Sequence, residues 1–257
     1  DQDPGLHFMI TDPEGTILAM FVAFCRIGAC FMVLPGFSSA RIPVMVRLLM
    51  AAAVSMAILP VMWDTIYPKV SGSDYAYIYL ILGETLVGTM YGLIPRLYVL
   101  GLQFAGSAIS MSIGFNSPGA PDVIEDTPEN QLTNMISFGG LLLLFMLDFH
   151  HVVLRALIDS YGLMPLGAFP DVQKMLITLT DTLGATFMLM LRLASPFIIF
   201  GLMFNFSIGL INKLAPQIPI YFISTPYLLT GGLLLLYFSI AALVRQFADN
   251  FARIFIG

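Results

Sequence analysis

The chain is 257 residues long, with 58% hydrophobic and 11% charged residues, a mean hydropathy of +0.88 and a net charge of −5. A soluble domain carries about 25% charged residues, so this composition excludes an ordinary soluble protein and indicates an integral membrane protein. The absence of any Lys/Arg cluster argues against nucleic acid as a partner, because such binding needs cations to neutralise phosphates.

Residues 1–15, DQDPGLHFMITDPEG, are predicted to be an N-terminal extension, and they lack the positive region of a signal peptide. Seven apolar segments follow, and each is predicted to be a helix because lipid leaves no water to satisfy an open backbone. Pro95 is predicted to break or kink the chain between the third and fourth. The segments are 16–35, 48–67, 75–94, 97–115, 134–154, 173–211 and 217–254.

The expected fold is therefore all-α, with multiple membrane helices, long helical hairpins and no sheet. Seven crossings that start with the N-terminus outside place most Lys and Arg residues on the cytoplasmic side, as the positive-inside rule requires. The long polar loop 116–133 then lies outside.

The last two apolar segments are too long for simple crossings. A helix over 173–211 would measure about 58 Å at 1.5 Å per residue, whereas a hydrocarbon core is about 30 Å thick. Either each segment hides a break, for which Pro196 and Gly231-Gly232 are candidates, or the hairpin packs along protein surfaces beyond the bilayer. The stretch INKLAPQIPIYFISTPY at 211–227 is predicted to be the turn between them, since Pro216, Pro219 and Pro226 interrupt a helix.

Glu84 is an acidic residue deep in an apolar segment. It is either a proton relay of a transporter, because membrane carboxylates are costly and tend to be functional, or a paired helix contact with Arg26 or Arg192. A lipid-facing Arg192 would cost about 2.5–3.5 kcal/mol, so we expect it to face another helix. Gly88 and Gly92 form a GxxxG motif that indicates close packing.

Asp148, His151, Arg155 and Asp159 recur at helical spacing and predict a polar stripe at a helix end or contact. The adjacent His150 and His151 should diverge by about 100° on a helix and are not expected to share a metal ion. No catalytic, metal or cofactor site is predicted, and no GxSxG, Walker or HExxH motif occurs. We predict buried polar helix contacts at Arg26, Glu84, Asp148, His151, Arg155 and Arg192.

Several stretches, in their order and spacing, resemble the FliR family of the flagellar type III export gate and its injectisome counterpart, SctT. Phe149 departs from the family, which often has glycine there. The resemblance spans residues 16–254. It is carried by RIGACFMVLPGFSSARIPVMVRLLMAAAVSMAILP, GETLVGTMYGL, DFHHVVLRALIDSYGLMPLG and NKLAPQIPIYFISTP.

The resemblance implies a non-enzymatic subunit without cofactors that joins FliP-like and FliQ-like chains in a gate for unfolded export substrates. FlhB-like and FlhA-like export components are implied as further partners. The implied location is the bacterial inner membrane at the flagellar basal body, with parts extending to the periplasmic side. Alternatives are an injectisome gate subunit, a structural membrane scaffold, and a proton-coupled transporter, although the inverted repeats of a transporter are not evident.

By the same resemblance, residues 16–172 form a FliP-like helical part with a pore-side loop at 112–133. Residues 173–257 form a FliQ-like hairpin that turns at 212–219. The hypothesis for the loop is a plug that blocks ion leakage until a substrate displaces it. The implied plug residues are Ile113, Gly114, Phe115, Asn116, Ser117, Pro118 and Gly119, and the implied hairpin tip is Asn212, Lys213, Pro216, Gln217 and Pro219.

Overall fold

The computed structural model of the chain describes residues 12–38, 42–70, 74–115, 131–166 and 170–255. Within these ranges helices form all of the regular structure, and no strand occurs, so the predicted all-α membrane fold is confirmed. The helices are α1 (Pro13–Val33), α2 (Val44–Ile58), α3 (Trp63–Val70), α4 (Asp74–Ser112), α5 (Gln131–Met146), α6 (Phe149–Leu163), α7 (Val172–Leu214) and α8 (Ile220–Phe255).

Of the two alternatives predicted for Pro95, a break is wrong, and a kink stays a prediction. Helix α4 is one element of 39 residues that runs through Pro95. Proline removes one backbone hydrogen bond and crowds the preceding turn. That local cost does not end the helix, because in an apolar setting every other peptide group still needs its helical partner, and membrane helices accommodate proline by local adjustment.

The number of crossings falls accordingly. In the part of the chain that the structure describes, four helices are long and apolar enough to cross a membrane: α1, α4 from Tyr77, α7 and α8. Two bent pairs, α2 with α3 at 103° and α5 with α6 at 62°, raise the number to six if each pair is a single broken span. The described residues thus offer four to six candidate spans, where seven were predicted.

The two long helices at the end of the chain contain no break. Helix α7 has 43 residues and continues through Pro196, and α8 has 36 residues and continues through Pro226 and Gly231-Gly232. Pro226 therefore lies inside α8 and not in the turn. Of the two explanations for the overlong segments, hidden breaks are excluded.

The chain divides into two compact units, and the first comprises residues 1–97 and 148–181. Its described part has an apolar core to which α1 and α3 contribute most. Trp63 stacks on Tyr67 at a centroid distance of 4.7 Å, and the Lys69 ammonium donates to the carbonyl oxygen of Leu166. The core residues are Ala19, Val22, Ala23, Leu59, Trp63, Ile66, Val70, Leu80, Tyr161 and Leu166.

The second unit comprises residues 98–147 and 182–257. Its buried cluster is Ile109, Ile113, Leu132, Ala194 and Phe197. Tyr98 stacks on Phe247 with centroids 4.8 Å apart and donates its hydroxyl to the Phe247 carbonyl. The predicted division at residues 172 and 173 follows the family resemblance, not compactness, and stays a prediction.

Candidate functional site

A charged centre lies inside the first unit, at Arg26 of α1. The side chain is 1% exposed, and its guanidinium makes a two-pronged ion pair with Glu84 of α4, which is 3% exposed. Nε donates to Oε2 at 2.5 Å and Nη2 donates to Oε1 at 3.0 Å. This bidentate geometry matches the planar fork of arginine to the two carboxylate oxygens, which is the strong form of such pairs.

The remaining donors of Arg26 reach the end of α6. Nη1 donates to Oγ of Ser160 at 2.9 Å, and Nη2 donates to the carbonyl oxygen of Met164 at 3.2 Å. The ring of Tyr161 lies against the guanidinium, with Cζ 3.9 Å from its centroid. A buried arginine is tolerated when its charge is paired and its N–H groups are bonded; here the charge is paired and four of the five N–H groups have partners. Arg26 therefore ties α1, α4 and α6 together.

The backbones of α1 and α4 come close enough for this pair because of Gly88 and Gly92. A Cβ atom at Gly88 would overlap the carbonyl oxygen of Arg26, and one at Gly92 would lie 2.7 Å from the carbonyl oxygen of Cys30. Two glycines four residues apart on α4 thus contact two residues four apart on α1. The GxxxG motif has α1 as its partner.

The arrangement acts as a structural clamp, because both oxygens of Glu84 accept from Arg26. Of the two arginines considered as partners of Glu84, the structure brings only Arg26 to it. Arg192 lies on α7 in the second unit and is exposed in the isolated chain. The expectation that Arg192 faces another helix stays a prediction.

Three further predicted contacts also lie on the surface of the isolated chain. Asp148, His151 and Arg155 are exposed, and the side chains of Asp148 and His151 retain 76% and 71% of their accessible surface. Asp148 is not part of a continuous helix. It sits at the 62° bend between α5 and α6 with a left-handed φ of 55°, so the predicted polar stripe starts at a helix break.

This bend also corrects the expectation for the two histidines. The rings of His150 and His151 approach with centroids 4.2 Å apart. One ligand atom from each of Asp148, His150 and His151 can be chosen so that all three lie within 4.8 Å of one another. Helical spacing sets the directions of the Cβ atoms only, and side-chain rotation brings the imidazoles together. The expected divergence of the two rings is therefore not observed, whereas the absence of a metal site stays a prediction.

Three of the predicted plug residues, Ile113, Gly114 and Phe115, directly follow α4 and close it. The N–H of Phe115 donates to the carbonyl of Ser110 at 2.9 Å, and the N–H of Gly114 donates to the carbonyl of Met111 at 3.3 Å. These two bonds, with Gly114 at φ 74°, form the Schellman motif that closes many helices. Asn116, Ser117, Pro118 and Gly119 lie outside the described residues.

Ile113 is fully buried in the second unit. It packs against Gly232 of α8, where an added Cβ atom would overlap the Cβ and Cγ2 of Ile113. Phe115 is partly buried against the same cluster. The side chain expected to provide an apolar seal is thus enclosed by its own chain and anchors the start of the loop.

The hairpin tip lies between α7 and α8. Asn212 and Lys213 belong to the last turn of α7, and the link itself is Ala215–Pro219. Pro219 immediately precedes α8, where a missing N–H costs nothing. Lys213, Pro216, Gln217 and Pro219 are exposed, and Asn212 is half-buried.

The hairpin presents large apolar side chains along much of its length. On α8 Phe222 is 86% exposed and Phe238 is 77% exposed, and on α7 Leu176 and Leu214 are 63% and 85% exposed. Contiguous exposed apolar surface of this extent marks a contact with a partner or with lipid.

Sequence reasoning missed the third helix of the charged centre. Ser160, Tyr161 and the Met164 carbonyl belong to the stretch DFHHVVLRALIDSYGLMPLG, which carries the family resemblance. Pro165 could have indicated the Met164 carbonyl as an acceptor, because a helix ends before a proline and its last carbonyls lack helical partners. A buried arginine is a natural donor to such a carbonyl.

These features define an all-α membrane protein whose first unit is fastened by a buried ion pair and whose last two helices form a long apolar hairpin. Residues 17–254 match the family described as bacterial export proteins, family 1. The match covers most of the chain, and the chain belongs to this family.

The chain is also similar to proteins named flagellar biosynthetic protein FliR. It is 28% identical to that of Caulobacter vibrioides over 93% of this chain and 96% of the relative. It is 26% identical to that of Escherichia coli K12, over 91% and 89%, and 24% identical to that of Aquifex aeolicus, over 94% and 93%. The resemblance to the FliR family is thereby confirmed.

Proposed function

We propose that the chain is a subunit of the flagellar protein export gate, in which FliP-like and FliQ-like chains assemble with it around a channel for unfolded export substrates. Membership of the bacterial export proteins and the flagellar name of the relatives support this function. The observation that carries the assembly step is the exposed apolar surface of the α7–α8 hairpin.

This surface is longer than a bilayer can cover. Exposed apolar residues on α7 run from Leu176 to Leu214, which at 1.5 Å per residue is about 57 Å, against a hydrocarbon core of about 30 Å. Fitting that length inside the core requires a tilt of about 58°, whereas membrane helices tilt by 0–40°. Covering the apolar surface that lies outside the hydrocarbon core contributes a favourable free energy of about 25 cal/mol per Å².

Helices of partner subunits are the cover that this surface fits. The exposed apolar side chains of α8 are rich in aromatic residues, which are enriched at protein interfaces. They include Tyr221, Phe222, Ile223, Tyr227, Leu234, Tyr237, Phe238, Ile240 and Val244.

The proposal extends to location and further partners. The gate lies in the bacterial inner membrane at the flagellar basal body, extends to the periplasmic side, and works with FlhB-like and FlhA-like components. The flagellar name of the relatives favours this use over an injectisome. A proton-coupled transporter is not favoured, because Glu84 is buried and both of its oxygens accept from Arg26.

The plug remains part of the proposal. Deleting residues 113–119 is expected to increase ion leak through the assembled gate. Since Ile113 anchors the second unit, a deletion of 116–119 alone serves as the companion variant that spares the core. An unchanged leak in a correctly assembled gate carrying either deletion would refute the plug.

Assembly is tested by co-expressing the chain with the FliP-like and FliQ-like chains of the same genome and measuring the detergent-purified product by native mass spectrometry. A stable complex with one copy of this chain is expected. A lone monomer, or a homodimer that ignores those chains, would contradict the proposal.

Two phenylalanines on α8 provide a matched pair for the surface itself. Phe238 is 77% exposed and Phe247 is 2% exposed. Phe238→Ala, combined with Tyr237→Ala, is expected to reduce the complex while leaving the thermal unfolding of the isolated chain unchanged. Phe247→Ala is expected to lower the stability of the isolated chain. Full assembly of the Phe238 variant would exclude this face as a partner contact.

A further inference from the structure

We propose that Asp148, His150 and His151 form a binding site for a divalent transition-metal ion, a function that lies beyond the proposed role in export. The three side chains meet where α6 begins, in the first unit. Two imidazoles and a carboxylate are the donor set that zinc and its neighbours in the first transition row take from proteins.

The backbone at Asp148 sets up this meeting. Asp148 is the described non-glycine residue with positive φ, at φ 55° and ψ 30°. Aspartate enters this left-handed region more readily than most residues. The turn places its carboxylate next to the first residues of α6, where Oδ1 lies 3.6 Å from Nδ1 of His151.

Phe149 holds the segment in place. Its side chain is fully buried, whereas the residues on either side, Asp148 and His150, are exposed and half-buried. An anchored aromatic between them limits the motion of this segment and keeps the three ligand side chains together. Such support by the surrounding packing is what a binding constellation needs.

The distances suit one shared ion. Ligand atoms that bind one tetrahedral ion at 2.0–2.2 Å lie about 3.3 Å from each other. The candidate atoms of the three residues already lie within 4.8 Å of one another, so side-chain rotation without backbone movement closes the site. Calcium and magnesium do not suit it, because they require mainly oxygen ligands.

The surroundings of the three ligands determine how tightly the site should bind the ion. Three protein ligands leave positions for water, and the exposed side chains of Asp148 and His151 let the ion exchange with solvent. The N-terminus of α6 carries partial positive charge, which weakens cation binding and which the Asp148 carboxylate offsets. We therefore expect a reversible site that is weaker than a closed structural zinc site.

The test uses the full-length chain in detergent with a purification tag that contains no histidine. Titration with ZnCl2 by calorimetry is expected to saturate at one ion per chain. His151→Ala and Asp148→Asn should each weaken binding at least about tenfold, since the loss of even an outer-shell partner costs ten- to a hundredfold. Asp159→Asn, which removes an exposed charge on the same helix, and His7→Ala, which removes the third histidine of the chain, should not change it.

A spectroscopic measurement on the unaltered chain does not depend on the folding of any variant. Copper(II) added at one equivalent is expected to show electron paramagnetic resonance couplings to two imidazole nitrogens. A spectrum without nitrogen coupling would overturn the site, and so would zinc binding that does not saturate or that the two control substitutions weaken equally.

Discussion

Arg26 and Glu84 lie 58 positions apart in the sequence and form a bidentate ion pair, with heavy-atom distances of 2.5 and 3.0 Å. Both side chains are at least 97% buried. Taking two charges out of water is expensive, and the pair compensates for that only while both members are present. Removing one member of the pair should therefore lower the stability of the chain more than removing both.

The first prediction concerns this asymmetry. Glu84→Gln leaves the Arg26 charge buried without its counter-ion and is expected to destabilise the chain by about 3–5 kcal/mol. The double variant Arg26→Met with Glu84→Met, which fills the space with apolar atoms, should be more stable than the single variants Arg26→Met and Glu84→Met, which complete a double-mutant cycle. Unfolding in increasing sodium dodecyl sulfate measures all four members of the cycle.

The same variants separate a clamp from a proton relay. If Glu84 carried protons, Glu84→Gln would stop export without a matching loss of stability. The clamp predicts that export and stability fall together and that the double variant recovers part of both. A stable Glu84→Gln chain without export would contradict our assignment.

The second prediction concerns the approach of α4 to α1. Gly88→Ala places a methyl group on the backbone of Arg26, which cannot rotate away as a side chain can, so we expect a loss of about 1–3 kcal/mol as for other overpacked sites. Gly83→Ala is the control on the same helix, because its Cβ would meet only Pro170 at an ordinary 3.5 Å. The unfolding temperature should fall for Gly88→Ala and should not fall for Gly83→Ala. Equal behaviour would contradict the close contact.

Much of the fold follows from composition, because an apolar chain has few ways to satisfy its backbone other than helices. The helical segments and the hairpin could be predicted for that reason. The close packing at Gly88 and Gly92 could be predicted from the GxxxG motif. Pro95 misled because a local breaker is weighed against the hydrogen bonding of the whole helix, and in an apolar setting the helix persists.

The site was only partly accessible from the sequence. The position of Glu84 in an apolar segment predicted that it needs a partner. The sequence could not distinguish Arg26 from Arg192, because the partner depends on which helices pack against α4. The burial of Ile113 depends on Gly232, a distant residue on α8. The meeting of Asp148 with two histidines depends on one left-handed dihedral angle, for which helical spacing offers no signal.

The third prediction concerns pH and Asp12, which caps α1. Its Oδ1 accepts from the Gly15 N–H at 3.1 Å and its Oδ2 accepts from the Tyr67 hydroxyl at 2.8 Å. The Gly15 bond first, and then the Tyr67 bond, lower the pKa of the Asp12 carboxyl below its ordinary value of 3.8. A lowered folded-state pKa gives stability that is present above pH 3.8 and is lost as the pH falls through the folded value.

Asp12→Asn should remove this pH dependence. The unfolding temperature of the unaltered chain is expected to exceed that of Asp12→Asn near neutral pH, with the difference shrinking as the pH falls below 3.8 and through the lowered pKa of the Asp12 carboxyl. Tyr67→Phe should reduce the effect, and Asp64→Asn, at an exposed aspartate of α3, should leave it in place. A difference that stays constant with pH would show that the Asp12 charge contributes nothing.

The fourth prediction concerns Ile113 and Gly232 in the second unit. Alanine is the better helix former by about 1 kcal/mol, so Gly232→Ala would stabilise α8 if space allowed. The added methyl instead overlaps the Cβ of Ile113, which is fixed by the backbone near the end of α4. We expect a net loss of about 1–3 kcal/mol. Gly209→Ala, where nothing lies within 4 Å, should be neutral or stabilising.

Shrinking Ile113 provides a sharper check on the same contact. Ile113→Ala removes the Cγ atoms but keeps the Cβ, so it should not rescue Gly232→Ala and should itself cost about 2–5 kcal/mol as a buried truncation. The variants are compared by detergent unfolding of the isolated chain. If Gly232→Ala matched Gly209→Ala, α4 and α8 would not meet at this point. Ile113 would then be available at the surface, and its role as a seal would regain support.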